Sequence, residues 1–179
     1  FNKILGSKFF KNKINFLTNP SLEAQIASIS DDIAYNSHDL EDGLKSNLFK
    51  LNDLKNIPIL DKIIFKHKKK LNNHSIDLVV RQIIREIINE MVQDVIKTTI
   101  KNLKFNNIYS LNDILKSKNT IVGFSTKMNN FDSMIKNFLK QKMYFHRNVN
   151  VKTNYGKKII KNLFLKITNN QKKYINIIK

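Results

Sequence analysis

The strongest constraint on the fold is a run of apolar side chains that recurs every three or four residues between positions 76 and 103. This spacing matches the period of an α-helix, so it predicts one long helix that begins after Ser75. The apolar stripe is broad, which is typical of a central packing helix, and Arg81, Glu90 and Asp94 on its other side disfavour a membrane role. The run comprises Ile76, Val79, Val80, Ile83, Ile84, Ile87, Ile88, Met91, Val92, Val95, Ile96, Ile100 and Leu103.

The rest of the chain shows the same helical period and few breaks, since the 179 residues include only four glycines and two prolines. We therefore predict an all-α fold, with a lead-in at 1–18, a first helix region at 19–49 and a C-terminal helical region at 50–179. Pro20 in the first turn, with Asn19 as a cap, opens the first helix, which ends near Gly43 or runs on toward Phe49. Further helices are predicted after Pro58, after a capping box of Ser110 and Asp113, and over 126–144 and 155–167, while brief strands are candidates only at 120–124 and 148–152.

Residues Ser21 to Leu44 combine an apolar face with an acidic face, in a chain whose formal net charge is +18. Ala24 and Ala27 lie in line with the acidic face and would let another helix come close. A merely solvated face would usually carry Lys and Glu, so we expect this helix to be covered on both sides. The apolar face consists of Leu22, Ile26, Ile29, Ile33, Leu40 and Leu44, and the acidic face of Asp31, Tyr35, His38, Asp39 and Asp42.

The string LEAQIASISDDIAYNSHDLEDGL within this segment resembles the signature of the bacterial deoxyguanosine triphosphate triphosphohydrolase-like proteins, which are HD-domain metal hydrolases. Three later segments resemble landmarks of the same family, in the same order: MVQDVI at 91–96, the neighbourhood of Tyr144 to His146, and IIKNLF at 159–164. The resemblance implies a multi-helix HD-domain-like bundle, of which this chain is the C-terminal portion.

The resemblance also implies roles for three residues of the acidic face. Asp31 falls on a ligand of a divalent metal (Mg, Mn, Co, Fe or Zn), Tyr35 on the residue that packs against the deoxyribose, and Asp39 on the acceptor from the 3′-hydroxyl. These positions are spaced by four residues and stack over about 12 Å of one helix face. The implied reaction is attack of a metal-activated water on a deoxynucleoside triphosphate, releasing deoxynucleoside and triphosphate. Relatives of this kind are commonly homo-oligomers. Asp32 and Asp42 are interpreted as supporting or capping residues.

The sequence lacks the other metal ligands that the resemblance requires. His38-Asp39 is not the metal-binding doublet of the family, which lies upstream of Asp31 and follows a further histidine. We therefore expect this chain to be part of a longer enzyme and to be inactive alone. Without the resemblance, three aspartates on a helix face would usually be a solvated or helix-start cluster. The histidines of the chain, none upstream of Asp31, are His38, His67 in a basic surface, His74 at a helix start, and His146, for which a surface role is favoured over a phosphate contact.

The positive charge leaves a second class of function open. Lysine blocks such as KHKKK at 66–70 attract polyanions, whether nucleic acid or triphosphate. However, only Arg81, Arg85 and Arg147 are arginines, the residue that phosphate and base recognition favours. A functional anion-attracting surface and compositional drift are equally consistent with this pattern. The alternative to the hydrolase is a basic helical module that binds nucleic acid, or a scaffold, without catalysis.

Two arginines have competing interpretations, and the lack of long apolar runs and of cysteine bears on where in the cell the protein is found. Arg81 and Arg85 lie one turn apart and are either a clamp on the triphosphate or a pair of surface arginines or arginines ion-paired with Glu86 or Glu90. No apolar run reaches the ~18 residues needed to span a membrane, and no cysteine is present for disulfides or thiolate metal sites. We therefore expect a cytoplasmic protein with no membrane partner.

Overall fold

The protein is built from helices packed around one long central helix. The structure, a computed structural model, describes residues 18–67 and 75–169. Within these ranges it contains no strand, so the all-α prediction is confirmed, while the HD-domain type stays a prediction. The described ranges contain six α-helices: α1 (Leu22–Lys45), α2 (Pro58–His67), α3 (Ile76–Phe105), α4 (Leu111–Lys116), α5 (Thr126–Leu139) and α6 (Arg147–Asn169). They also contain a 3₁₀ turn at Leu51–Leu54 and a π-helical turn at Lys140–Tyr144.

The first helix begins two residues later than predicted. Ser21, not Asn19, is the N-cap, because its hydroxyl accepts a hydrogen bond from the backbone N–H of Ala24 at 3.4 Å. The Asn19 side chain instead donates to the Ser117 hydroxyl at 3.0 Å, which ties the chain before α1 to the end of α4. Pro20 therefore precedes the helix, and the predicted cap was wrong by two positions.

Gly43 lets the chain fold back sharply after α1. A Cβ at this position would lie 2.2 Å from Cε1 of Phe49, so any side chain would displace that ring. Phe49 in turn packs edge-on against Phe138 of α5, with ring centroids 4.8 Å apart. The helix continues through Gly43 and ends at Lys45, between the two ends that the sequence predicted.

The core lies where α3 packs against α1 and α2 and where α1 packs against α5, so α3 is a central packing helix as predicted. Its apolar stripe, however, is covered on one flank only, since Val92, Ile96 and Ile100 stay exposed. No helix in the described ranges is long and apolar enough to cross a membrane. The fully buried side chains of the core include Leu40, Leu54, Leu60, Ile83, Ile87, Met91, Ile135 and Leu139.

The segment before α5, a predicted strand at 120–124, is irregular instead. The buried Gln25 side chain of α1 accepts hydrogen bonds from the backbone N–H groups of Ile121 and Val122 at 2.8 and 3.0 Å. Ser125 caps α5, and Asp94 of α3 holds this cap in place, because its carboxylate accepts from the Ser125 backbone and hydroxyl, both at 2.7 Å. Side chains thus satisfy the donors that a strand partner would have used. The other strand candidate, 148–152, lies inside α6 and was also wrong.

His67 is buried, which contradicts its interpretation as part of a basic surface. Its Nε2 lies 2.6 Å from the Glu86 carboxylate, and Lys66 Nζ lies 2.6 Å from the other oxygen of that carboxylate. These contacts join the end of α2 to α3. Glu86 of α3 is therefore paired with the last two residues of α2. His74 and the lysines at 68–70 lie outside the described residues.

Candidate functional site

The predicted site residues lie along one side of α1, on the face turned away from most of its buried residues. Asp31, Tyr35 and His38 are exposed, with 60% of the Tyr35 surface accessible, and Asp39 is half-buried. Ala24 and Ala27 are also exposed. The expectation that both sides of this helix are covered is therefore wrong for the part of the chain that the structure describes. We call this open acidic side of α1, formed by Asp31, Tyr35, His38 and Asp39, the shelf.

Asp39 receives a hydrogen bond from a residue far away in sequence. The hydroxyl of Tyr144, in the π-helical turn after α5, donates to Oδ2 of Asp39. Burial raises the pKa of Tyr144, and the Asp39 carboxylate and nearby Tyr35 raise it further. The phenol therefore stays protonated and acts as a permanent donor at neutral pH. This bond holds the Asp39 carboxylate in one orientation.

A second set of polar contacts locks α1 against α5 beside the shelf. Asn36 Nδ2 donates to Asp132 Oδ1 at 2.8 Å in the core. Lys136 lies 2.9 Å from Asp132 and 3.2 Å from Asp32. Burial works to lower the pKa of Lys136, but the hydrogen bonds to Asp132 and Asp32 outweigh it and raise that pKa. Asp32 thus forms an exposed ion pair with Lys136 of α5, and its interpretation as a supporting or capping residue stays a prediction.

Asp31 does not form a metal site with the other described residues. In the ranges 18–67 and 75–169, no group of three or more His, Cys, Asp or Glu side chains is arranged to hold a metal ion. A divalent metal in a protein normally needs at least three protein ligands, or fewer with a substrate. The residues present therefore do not fit a resident metal by themselves, and Asp31 supplies at most one ligand.

Arg81 pairs with an acidic residue that the sequence did not suggest. Its Nε lies 3.9 Å from Glu41 of α1, and the same carboxylate oxygen lies 2.5 Å from Lys45 Nζ. The partner is thus neither Glu86 nor Glu90. Arg85 is exposed on the same helix. The ion-pair interpretation holds for Arg81, with a different acid, and the clamp stays a prediction.

The sequence did not predict the contacts of four residues in this region, which are Asn36, Asp132, Lys136 and Tyr144. Asn36 and Asp132 are separated by 96 residues, and Asp39 and Tyr144 by 105. The resemblance marked the position of Tyr144, while the sequence indicated no role for Asn36, Asp132 or Lys136. Periodicity places each of them on a face, but it does not pair the faces.

Comparison with known proteins identifies relatives over most of the chain. No family model matches it. A protein of Pelagibacter ubique is 47% identical over 175 residues, which cover 98% of this chain and 47% of the relative. Relatives from Bartonella tribocorum (36% over 148 residues, 80% of this chain and 36% of the relative) and Neorickettsia sennetsu (35% over 145 residues, 81% and 38%) are also similar.

All three relatives carry the same curated name, deoxyguanosinetriphosphate triphosphohydrolase-like protein. The resemblance seen in the acidic helix thus extends across the whole chain. The chain belongs to this family of triphosphohydrolase-like proteins, and it spans about half the length of the curated relatives it matches.

Proposed function

We propose that this chain is part of a metal-dependent hydrolase that converts a deoxynucleoside triphosphate and water to a deoxynucleoside and triphosphate. The names of its relatives support this reaction class. The single observation that carries the proposal for this chain is the hydrogen bond from Tyr144 to Asp39 beside Tyr35. A carboxylate held by a phenol next to an exposed aromatic ring is suited to recognise a sugar.

In this proposal the shelf on α1 binds the sugar of the substrate. Tyr35 presents an exposed ring that would pack against the deoxyribose and leave little room for a 2′-hydroxyl. Asp39, oriented by Tyr144, would accept a hydrogen bond from the 3′-hydroxyl through its second oxygen. Because Tyr144 already holds Asp39, the contact with the 3′-hydroxyl would need little ordering on binding.

Asp31 would be one ligand of the divalent metal, two turns before Asp39 on the same helix. The metal, when bound, would supply an activated water for attack on the α-phosphorus. The remaining ligands would come from outside the described residues, so we expect the chain alone to be inactive. The proposal further includes a cytoplasmic location, where deoxynucleotides are found, and assembly into homo-oligomers.

The test is an Asp31→Asn substitution in a protein of the relatives' length that contains this chain. We expect loss of bound metal and of triphosphate release together. Asp42→Asn is the matched control, because Asp42 is an exposed aspartate on the same helix. It should keep both metal and activity. Full metal content in the Asp31 variant would overturn the assignment.

A second candidate function rests on a separate observation, the distribution of charge. All 14 acidic residues lie between Glu23 and Asp132, so no acid follows in the chain. Helix α6 carries six exposed basic side chains: Arg147, Lys152, Lys157, Lys158, Lys161 and Lys166. An acid-free basic helix favours binding of single-stranded nucleic acid without catalysis.

Salt dependence separates the two candidate functions. Nucleic-acid binding through α6 should weaken steeply with salt, with a slope of up to about −4 if all six charges contact phosphates, and should need no metal. Lys157→Gln with Lys158→Gln should reduce the slope. If the chain does not bind single-stranded DNA even at low salt, this candidate is excluded. Selective, metal-dependent interaction with deoxynucleotides supports the hydrolase instead.

A further inference from the structure

The turn that carries Tyr144 has a different register from the helix before it. Helix α5 ends at Leu139, and Lys140–Tyr144 form a π-helical turn. The backbone N–H of Phe145 donates to the carbonyl of Lys140, five residues earlier, at 3.1 Å. A π-helical turn contains one residue more than a turn of α-helix, so it shifts every following side chain by one position. Such turns are rare and occur frequently at functional sites.

This shift decides which side chain of the turn faces α1. Asp132 and Lys136 of α5 contact side chains of α1. Met143 follows Asp132 by 11 residues and Lys136 by seven, which are about three and two turns of an α-helix. In a continuous α-helix Met143 would therefore face α1, and Tyr144 would lie about 100° further round. The extra residue of the π-helical turn brings Tyr144 to face α1 instead, and its hydroxyl donates to Asp39.

The surroundings of the two side chains agree with this register. Met143 and Tyr144 are both half-buried, and both pack against the core. Tyr144 offers a hydroxyl donor, whereas the thioether of Met143 has no hydrogen to donate to a carboxylate. The register of the turn therefore decides whether Asp39 has a donor from this part of the chain.

In the proposed function, Asp39 uses its two carboxylate oxygens differently. Oδ2 accepts from Tyr144, which leaves the other oxygen for the 3′-hydroxyl of the sugar. Without the phenol, the carboxylate would be free to turn, and the contact with the 3′-hydroxyl would lose its fixed geometry. A substrate that lacks the 3′-hydroxyl makes no such contact. Resting on the proposed function, we propose that the π-helical turn sets the selectivity for a 3′-hydroxyl, because it selects Tyr144 and not Met143 as the partner of Asp39.

The first test exchanges the two neighbours, Met143→Tyr with Tyr144→Met, in a protein of the relatives' length. The exchange keeps composition and charge but moves the phenol away from Asp39. We expect the Michaelis constant for a deoxynucleoside triphosphate to rise about three- to tenfold, which corresponds to the loss of one hydrogen bond. The constant for the 2′,3′-dideoxy analogue should stay within about twofold of the unaltered value. Tyr144→Phe, which removes the donor in place, should give the same pattern.

The control is an exchange of another tyrosine with its neighbour. Asn154→Tyr with Tyr155→Asn alters two exposed positions of α6 and should change neither Michaelis constant. Equal increases for the deoxynucleotide and its dideoxy analogue in the exchange at 143 and 144 would overturn the proposal, because the effect would not depend on the 3′-hydroxyl. Unchanged constants in that variant would overturn it as well.

Deletion of Gln141 tests the register itself. It removes one residue, so Tyr144 then follows Asp132 by 11 residues, the separation at which a side chain of a continuous α-helix faces α1. We expect both Michaelis constants to stay within about twofold of the unaltered values. A rise for the deoxynucleotide alone would overturn the proposal, because the shape of the turn and not its register would then hold Tyr144 in place.

A measurement on this chain, without metal or nucleotide, separates the register from the proposed function. The hydroxyl proton of Tyr144, held by Asp39, should exchange slowly with water and give its own proton NMR signal. The signal should survive deletion of Gln141 and disappear in Tyr144→Phe and in the exchange at 143 and 144. A signal that survives that exchange would overturn the proposal, because the turn would then change register freely.

The remaining outcomes are also decisive. If the exchange variant does not fold, Tyr144→Phe and the deletion of Gln141 decide. If the NMR signals are as expected but a protein of the relatives' length releases no triphosphate, the proposed function is removed and the register of the turn stands.

Discussion

Two regions built from amphipathic helices differ in their surroundings. One is the seam, where α1 meets α5 and the π-helical turn that follows α5; the other is helix α6. Three side-chain pairs cross the seam: Asn36 with Asp132, Asp32 with Lys136, and Asp39 with Tyr144. Helix α6 buries none of its residues, and it leaves apolar side chains exposed, including Ile159, Ile160, Leu163 and Phe164.

This difference teaches that an apolar stripe specifies a covered face without specifying the cover. At the seam, polar residues with matched partners select one neighbour and one register, because an unpaired buried group is costly. Helix α6 buries no residue, so it offers no buried polar group that would select a neighbour in this way. Three of the following predictions compare the same substitution in the two regions, and one compares their response to acid.

The largest expected effect is that of Gly43→Ala at the end of the seam. Helix propensity alone favours alanine by about 1 kcal/mol, but the new Cβ would lie 2.2 Å from Phe49. We expect a loss of about 2–3 kcal/mol in the free energy of unfolding, measured with denaturant. Gly156→Ala in α6 is the control, because nothing lies within 4 Å of a Cβ there. It should be neutral or stabilising. Equal effects at the two glycines would show that Phe49 moves aside freely.

The next effect is that of Asn36→Leu in the seam itself. It removes the hydrogen bond to buried Asp132 and leaves that carboxylate to Lys136 alone. We expect a loss of about 1–3 kcal/mol in the free energy of unfolding. Asn162→Leu in α6, an exposed position, should change it by no more than about 0.5 kcal/mol. A neutral Asn36 variant would mean that Lys136 satisfies Asp132 by itself.

Acid should lower the free energy of unfolding through Glu86, which joins α3 to α2. Helix α6 has no carboxylate, so it has no corresponding acid-sensitive contact of its own. The hydrogen bond from Lys66 lowers the pKa of Glu86; burial opposes this shift, and His67 adds to it. A lowered folded-state pKa stabilises fully above the ordinary value of 4.5, and this contribution is lost as pH falls through the lowered pKa.

The measurement is the free energy of unfolding of the natural chain and of Glu86→Gln between pH 6 and pH 2. We expect a difference of about 1 kcal/mol at pH 6 that disappears at the acid end. A difference that grows toward low pH would contradict the assigned sign.

The smallest effect on stability is that of Tyr144→Phe, which removes the donor to half-buried Asp39. We expect a loss of about 0.5–1 kcal/mol. Tyr155→Phe in α6 is the control and should have no effect, because Tyr155 is 69% exposed. In a protein of the relatives' length, Tyr144→Phe should also raise the Michaelis constant for the deoxynucleotide. An unchanged constant would show that Asp39 needs no orienting partner.

The helices themselves were largely predictable from local signals. The period of the apolar residues located α3 within two residues of its end, and the capping box placed α4. The errors are caused by contacts with residues far away in the chain. Gln25 accepts the hydrogen bonds that residues 121 and 122 would make in a strand, and Asn19 bonds to Ser117 instead of capping α1. The predicted helix at 155–167 was too short because α6 begins at Arg147.

The sequence by itself determined the class of fold, the order of the helices and the face of α1 that carries Asp31, Tyr35 and Asp39, because helical period and caps act over a few residues. Only the tertiary structure decided that Tyr144 orients Asp39, that Asp132 joins α5 to Asn36, and that the outer flank of α3 stays open. These contacts join residues about 100 positions apart, where packing and hydrogen bonding select partners that no local pattern encodes.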